Sequence, residues 1–218
     1  MKIGVFKRIA SYLLDIVPII TLFYALHALF VGGLLQTAVD PNYSDIESEY
    51  FELVDERNVT IEGYLDQFDN GEITEDEYFE LRTDLQTVFF EENEEVVTTI
   101  TQYWLYSFLY FAIFINIAYF AYMVGFKGQS LGRKIMKIEL MGNIKWHTIL
   151  LREVLWKNLL YTFSCIIGLA INPILGIFSL LFFVGLDVGL ITFTKKKKTL
   201  RDMFSQTYLG YEGVNYPF

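Results

Sequence analysis

Apolar residues in this chain are gathered into long runs, not spread as short periodic stretches. Ile9–Leu35 is the first run, broken by Ser11, Asp15, Pro18, Thr21 and His27. Tyr103–Gly125 is cleaner, with only Ser107 and Asn116 polar. Leu159–Thr194 extends for 36 residues with Asp187 as its sole charge. A helix crosses a hydrocarbon core of about 30 Å with about 20 apolar residues, so the first two runs predict one span each and the third predicts two. Asn172-Pro173, near the middle of the third run, is the expected turn, because the residue before proline avoids the helical region. The pattern therefore predicts an all-α, polytopic membrane protein with four transmembrane helices. Its parts are residues 1–39, 40–99 and 100–218.

The middle part has a different pattern. Ser44-Asp45-Ile46-Glu47 and Thr74-Glu75-Asp76-Glu77 both match the capping box that closes orphan amides at a helix start. Ile61, Tyr64, Leu65 and Phe68 recur at helical spacing, as do Tyr78, Leu81, Leu85, Val88 and Phe89 after the second box. Asp69-Asn70-Gly71 is a turn between them. These signals predict an extracytoplasmic helical hairpin that runs on towards the second span. A sharper alternative is a calcium loop over Asp66–Glu77, with Asp66 at its first position, Asn70 at its fifth and Glu77 at its twelfth. Phe68 stands where that loop needs an oxygen ligand, so a plain turn followed by a capped helix is the better fit.

Charge adds an orientation. Of 218 residues 53% are apolar, yet the net charge is −9. The conflict disappears once the charges are located: residues 40–95 hold 20 of the 26 acidic residues against two basic ones, Arg57 and Arg82, a net charge of −18. Such segregation excludes a single soluble fold and a nucleic-acid binder with a basic face. Cys165 has no partner cysteine in the chain, which excludes a disulfide scaffold. Basic residues cluster before the first span (Lys2, Lys7, Arg8), between the second and third (Lys127 to Lys157), and after the fourth (Lys195 to Lys198, Arg201). By the positive-inside rule all three clusters are cytoplasmic, which requires an even number of spans. Both termini are then expected on the cytoplasmic side of the cell membrane and residues 40–95 outside. The first apolar run is too long for a cleaved secretory signal and lacks a convincing cleavage site.

Ionisable residues inside spans are costly and normally have a partner or a role. Arg8 and Asp15 are seven apart and share a helix face, but about 10 Å of rise separates them. Asp187 lies eight residues before Lys195, about 12 Å from the same interface, so the two carboxylates are expected at similar depth. Such a pair either shares a proton or holds a cation. The structural alternative is that Asp15 ties the first helix to a basic loop residue. His27 and Asn116 are expected to hydrogen-bond between helices.

Three motifs in order resemble the RDD family of bacterial membrane proteins. Lys7-Arg8-Ile9-Ala10-Ser11-Tyr12-Leu13-Leu14-Asp15 resembles the family's opening signature. Gly128-Gln129-Ser130-Leu131-Gly132-Arg133-Lys134 resembles its cytoplasmic glycine-containing stretch, with Arg152 matching the arginine that follows. Thr199-Leu200-Arg201-Asp202, ending at Thr207, resembles the closing motif. Arg201 stands where histidine is usual and Gln206 where a small residue is usual. The resemblance covers 1–35 and 100–212, leaving the acidic block as an insertion. It implies Asp202, rather than Asp187, as the second family aspartate, and it implies sodium/proton-type exchange, the activity associated with some members.

Enzyme chemistry is not expected: there is no Walker loop, dinucleotide fingerprint, HExxH or CxxC, and no cofactor is implied. Gly128 and Gly132 lie in a polar stretch, where they serve a turn more than helix packing. Ser130–Lys134 is a basic stretch suited to the inner membrane surface, or to topology alone. Two function classes follow. One is a cation or proton secondary transporter, with Asp15 as the intramembrane carboxylate and Arg8, Asp187, Asp202 and Arg152 in its network. The other is a non-transporting scaffold or accessory protein whose acidic outer part binds cations or a partner protein. The lipid bilayer is the surrounding partner in both, and a homo-oligomer fits either, since four short spans enclose little space. Arg8, Asp15 and Asp202 are expected as one unit at the cytoplasmic end, with a bidentate arginine–carboxylate pair.

Overall fold

The computed structural model describes residues 3–193 and 198–213. Lys2 and the run Lys195–Lys197, used above for orientation, lie outside the described residues. Of the described residues 81% are helical. It divides into two compact units, one from residues 1–25 and 111–218, the other from 26–110.

In the first unit, helix α1 (Val5–Leu26) opens the chain. It continues through a π-helical turn, His27–Val31, into α2 (Gly32–Val39), so 35 residues run on as one helical stretch. Helix α5 (Glu94–Gly125) also passes from one unit to the other. After it come the short α6 (Leu131–Ile135), strand β1 (Ile138–Gly142) and α7 (Trp146–Ile149). A π-helical segment, Leu150–Leu159, leads into α8 (Leu160–Ala170). Helix α9 (Pro173–Phe193), α10 (Leu200–Phe204) and β2 (Thr207–Tyr211) complete the unit. Strands β1 and β2 pair antiparallel with Leu140 opposite Leu209. That ribbon was not foreseen. It buries Ile138, Leu140 and Leu209 with Ile3 in a small apolar cluster.

Among the described residues three helical stretches are long and apolar enough to cross a membrane: Val5–Val39, Glu94–Gly125 and Ile174–Phe193. Their side chains face outward. Leu22 is 57% exposed, Phe182 62% and Phe193 88%, surface that is stable only against lipid. Helix α8 has 11 residues and falls short of a span on its own. It packs closely on α9, because a β-carbon on Gly176 would lie 2.4 Å from Gly168 Cα. Ser164 and Ser179 hydroxyls meet at 2.9 Å across the same pair. Small residues that let backbones approach are how helices associate in lipid. The turn between them is at Ile171-Asn172, where Asn172 Oδ1 accepts the amide of Ile174 at 2.8 Å and Pro173 takes the first helical position.

The second unit carries the acidic helices α3 (Tyr43–Asp69) and α4 (Glu75–Glu92), which pack on each other. Arg57 lies over the Phe89 ring at 4.7 Å and reaches Gln86 at 3.4 Å. The capping box at Thr74 and Glu77 is formed, with the Glu77 carboxylate accepting the Thr74 amide at 2.8 Å. This holds Glu77 below its ordinary pKa, because a protonated carboxyl would lose that backbone bond. The box expected at Ser44 is not formed. Helix α3 begins two residues earlier than that box places it, at Tyr43, after Asn42, whose amide donates to Asp40 Oδ1 at 2.7 Å. Tyr43 is 2% exposed and its ring packs, tilted, on that of Tyr103 at 4.8 Å between centroids, so packing sets the helix start. Helix α4 stops at Asn93 before α5 begins, so the run from hairpin to span is broken by one residue.

Over the calcium-loop alternative the local geometry follows the plain turn and capped helix. Asp66 and its neighbours to Asp69 are still helical, and Glu77 is committed to Thr74. Asn70 caps α3, its amide donating to Asp66 O at 3.0 Å. Among the described residues no group of three potential metal ligands of this kind gathers anywhere. The bend is made by Gly71 at φ 72, in the left-handed region that glycine enters without steric cost.

Candidate functional site

The first unit gathers its charges into a buried ladder. Asp202 is fixed by a second capping box: its carboxylate accepts the Thr199 amide at 3.0 Å and its own amide donates to Thr199 Oγ1 at 3.2 Å. The same carboxylate accepts Arg8 Nη1 at 2.8 Å through Oδ2 and Arg152 Nη1 through Oδ1. Arg152 turns its Nε to Glu153 Oε1 at 2.9 Å, and Glu153 also receives Arg133 Nη2. Arg152 Nη1 further donates to Thr207 Oγ1 at 2.8 Å. Side-chain exposure is 0% for Arg152, Glu153 and Asp202, 4% for Arg8 and 5% for Arg133. The order is Arg8, Asp202, Arg152, Glu153, Arg133: three cations joined by two carboxylates.

Burial alone would raise the Asp202 pKa, but Arg152, Arg8 and Arg201 outweigh it and hold the carboxyl well below the usual range. Burial pulls Arg133 down, and the Glu153 carboxylate more than reverses that. The pair at Asp202 is not the bidentate one expected. Each carboxylate oxygen takes a different arginine, because α10 brings Asp202 between α1 and the π-helical segment that holds Arg152.

Asp15 occupies a separate cradle. Tyr122 Oη donates to its Oδ1 at 2.9 Å, the Gly132 amide donates to the same oxygen at 2.8 Å, and Ser130 Oγ donates to Oδ2. Its residue exposure is 6%. A β-carbon on Gly132 would lie 2.0 Å from Ser11 O, so glycine is what lets α6 reach α1. Gly132 is thus a packing glycine, contrary to the turn role expected for it. Gly128, at φ 77, does make a turn. Beneath the cradle Ile16, Tyr119, Met123 and Ile149 form an apolar cluster.

Asp187 has different surroundings from Asp15, so the shared proton or cation expected between them is not what their contacts support. Asp187 Oδ2 lies 3.9 Å from Arg201 Nε, with side-chain exposures of 24% and 12%. Burial pulls Arg201 down, but the Glu153, Asp187 and Asp202 carboxylates raise it on balance. Tyr161, Asp187 and Arg201 form the common wall of two grooves. Arg133 is buried against Glu153 and the Gly128 carbonyl, so it is withdrawn from the lipid-surface role considered for Ser130–Lys134.

His27 Nε2 pairs with Ser107 Oγ at 3.0 Å, and Asn116 Nδ2 donates to Ala112 O at 2.6 Å with Thr162 Oγ1 at 3.5 Å. Glu153, Arg133, Tyr122 and Ser130 are the site residues that sequence reasoning missed. Glu153 had one signal, an acidic residue in a block where acids are rare, directly after Arg152. Tyr122 had none, being one aromatic of many in its span.

The comparisons with known proteins give the family. The family model described as RDD family matches residues 3–206, and the chain belongs to that family. No curated protein matches the chain, and no solved structure matches it. The matched range takes in the whole of the ladder and the cradle.

Proposed function

We propose that this RDD-family membrane protein is a non-transporting accessory protein of the cell membrane. In this reading it has four spans, both termini are cytoplasmic, and an acidic extracytoplasmic helical hairpin engages cations or a basic partner protein. The observation that carries it is the condition of Asp15. A carboxylate has about four acceptor sites, and three hydrogen bonds from neutral donors already fill most of those of Asp15, leaving little capacity for a sodium ion or a mobile proton. Such a carboxylate acts as a fastener between α1 and α6. The ladder of Arg8, Asp202, Arg152, Glu153 and Arg133 then fastens α1, α10 and the Leu150–Leu159 segment in the same way. No catalytic role is part of this reading.

Support for four spans comes from the Gly168–Gly176 contact, which pairs α8 with α9. Support for the orientation comes from the basic clusters and the positive-inside rule. Reporter fusions after Leu35 and after Phe218 test it: the first is expected outside and the second inside.

The function itself is tested in proteoliposomes carrying the purified chain, with an internal pH dye and an imposed sodium or potassium gradient. Dissipation equal to that of protein-free vesicles is expected. A cation-dependent proton flux lost on Asp15→Asn overturns the reading. Cation/proton exchange is the second reading, favoured by Asp187, whose ion pair with Arg201 is long and which borders two grooves. In that case flux is present and is lost on Asp187→Asn but kept by Asp15→Asn.

A further inference from the structure

We propose that the groove between α1 and α9 binds an anionic membrane phospholipid, with Arg201 meeting the headgroup phosphate and an acyl chain lying along the apolar wall. The groove is lined by Ile9 and Tyr12 from α1, Val188 and Asp187 from α9, Tyr161 from α8, and Arg201. Both α1 and α9 belong to stretches long and apolar enough to span a membrane, so the groove opens toward hydrocarbon. Ile9 is 48% exposed and Val188 37%, which leaves an apolar wall for a lipid tail.

Arg201 supplies the polar end. Its side chain is 12% exposed, and its Nε has no hydrogen-bond partner among the described residues. The carboxylate facing it, Asp187, lies at 3.9 Å, outside hydrogen-bond reach. A guanidinium in that condition favours an acceptor that can come within about 3 Å, and phosphate oxygens match its planar donor fork. Charge permits the anion. The neighbouring ladder carries three arginines against two carboxylates, and its end member Arg8 also lines this groove. A positive surplus therefore remains with Asp187 ionised. The proposal depends on α1 and α9 being membrane helices and is independent of whether the protein transports anything.

The test is thermal melting of the full chain in neutral detergent with added phosphatidylglycerol, phosphatidylcholine or free glycerol phosphate. A ligand that binds only the folded state raises the melting temperature. Phosphatidylglycerol is expected to raise it by several degrees more than phosphatidylcholine, and glycerol phosphate is expected to do nothing. Arg201→Gln and Val188→Phe, the second filling the groove without touching a charge, are each expected to abolish the excess. Lys134→Gln, at an exposed basic residue elsewhere, is expected to keep it. If Arg201→Gln does not fold, Val188→Phe decides. The proposal falls if the two lipids act equally on the unaltered chain or if a folded groove variant keeps the excess. It also falls if Lys134→Gln loses the excess or if glycerol phosphate reproduces the shift.

Discussion

The Gly132 amide donates to Asp15 Oδ1 at 2.8 Å across 117 positions of sequence, and a side chain on Gly132 has nowhere to go. A β-carbon there would sit 2.0 Å from the Ser11 carbonyl oxygen, a backbone atom that cannot swing aside. Gly132→Ala should therefore part α6 from α1 and cost about 3 kcal/mol, the upper end for overpacking. Gly185→Ala, where nothing lies within 4 Å, should be neutral or stabilising, by up to about 1 kcal/mol of helix propensity. Melting of both variants in detergent reads the contrast.

Replacing Asp15 separates its charge from its hydrogen bonds. Asp15→Ala orphans three donors, two of them buried, at about 1–3 kcal/mol for each buried one and should loosen the first half of α1. Asparagine keeps one acceptor oxygen for Tyr122 and Gly132, and the Ser130 hydroxyl can rotate to accept from its amide. Asp15→Asn should accordingly cost about 1 kcal/mol of stability, not improve it as a simple buried-charge penalty predicts. A melting temperature above that of the unaltered chain would show that the cradle contributes nothing.

Arg8 and Asp202 should couple in a double-mutant cycle. Each single alanine variant leaves a charge buried without its partner, at about 3–5 kcal/mol, and the double variant should cost less than the sum. Arg152→Ala should be worse than Arg8→Ala, because it strips both Asp202 and Glu153. Equal melting of all these variants would mean that the ladder is not holding α1 and α10 together.

Acid should weaken the same ladder. The native pKa of Asp202 is depressed, so its contribution is complete above the unfolded value of about 3.9 and is lost as pH falls from there toward the native value. The melting difference between the unaltered chain and Asp202→Asn should stay level from pH 7 to about 5 and narrow below about 4. A difference that narrows near pH 6 instead would assign the effect to another group.

Much of the membrane architecture was legible because it depends on quantities that a linear sequence carries. Run length against bilayer thickness marks Val5–Val39, Glu94–Gly125 and the segment ending at Phe193. Proline chemistry marks the Asn172-Pro173 turn, and a local side-chain-to-backbone reach marks the Thr74–Glu77 cap. Arg8 and Asp202 were expected to meet because each has to lie at the same interface, which leaves few other partners. Where a rule was local but packing competed with it, the rule failed. Ser44 matched a cap, yet burial of Tyr43 moved the helix start.

What the sequence by itself determined is which segments enter lipid and which charges must be sheltered, since both follow from the cost of placing each residue in hydrocarbon. Only the tertiary structure decided how the charges are shared. Asp202 takes two arginines instead of one bidentate partner, Asp15 is held by neutral donors, and Glu153 joins the ladder. Two strands pair across 65 residues, from Gly142 to Thr207. The physical reason is that hydrogen bonds are directional and reach about 3 Å, so their partners depend on how the α1 and α6 backbones approach. That approach is set by a missing side chain at Gly132, and spacing along the chain does not register which surface a glycine will face.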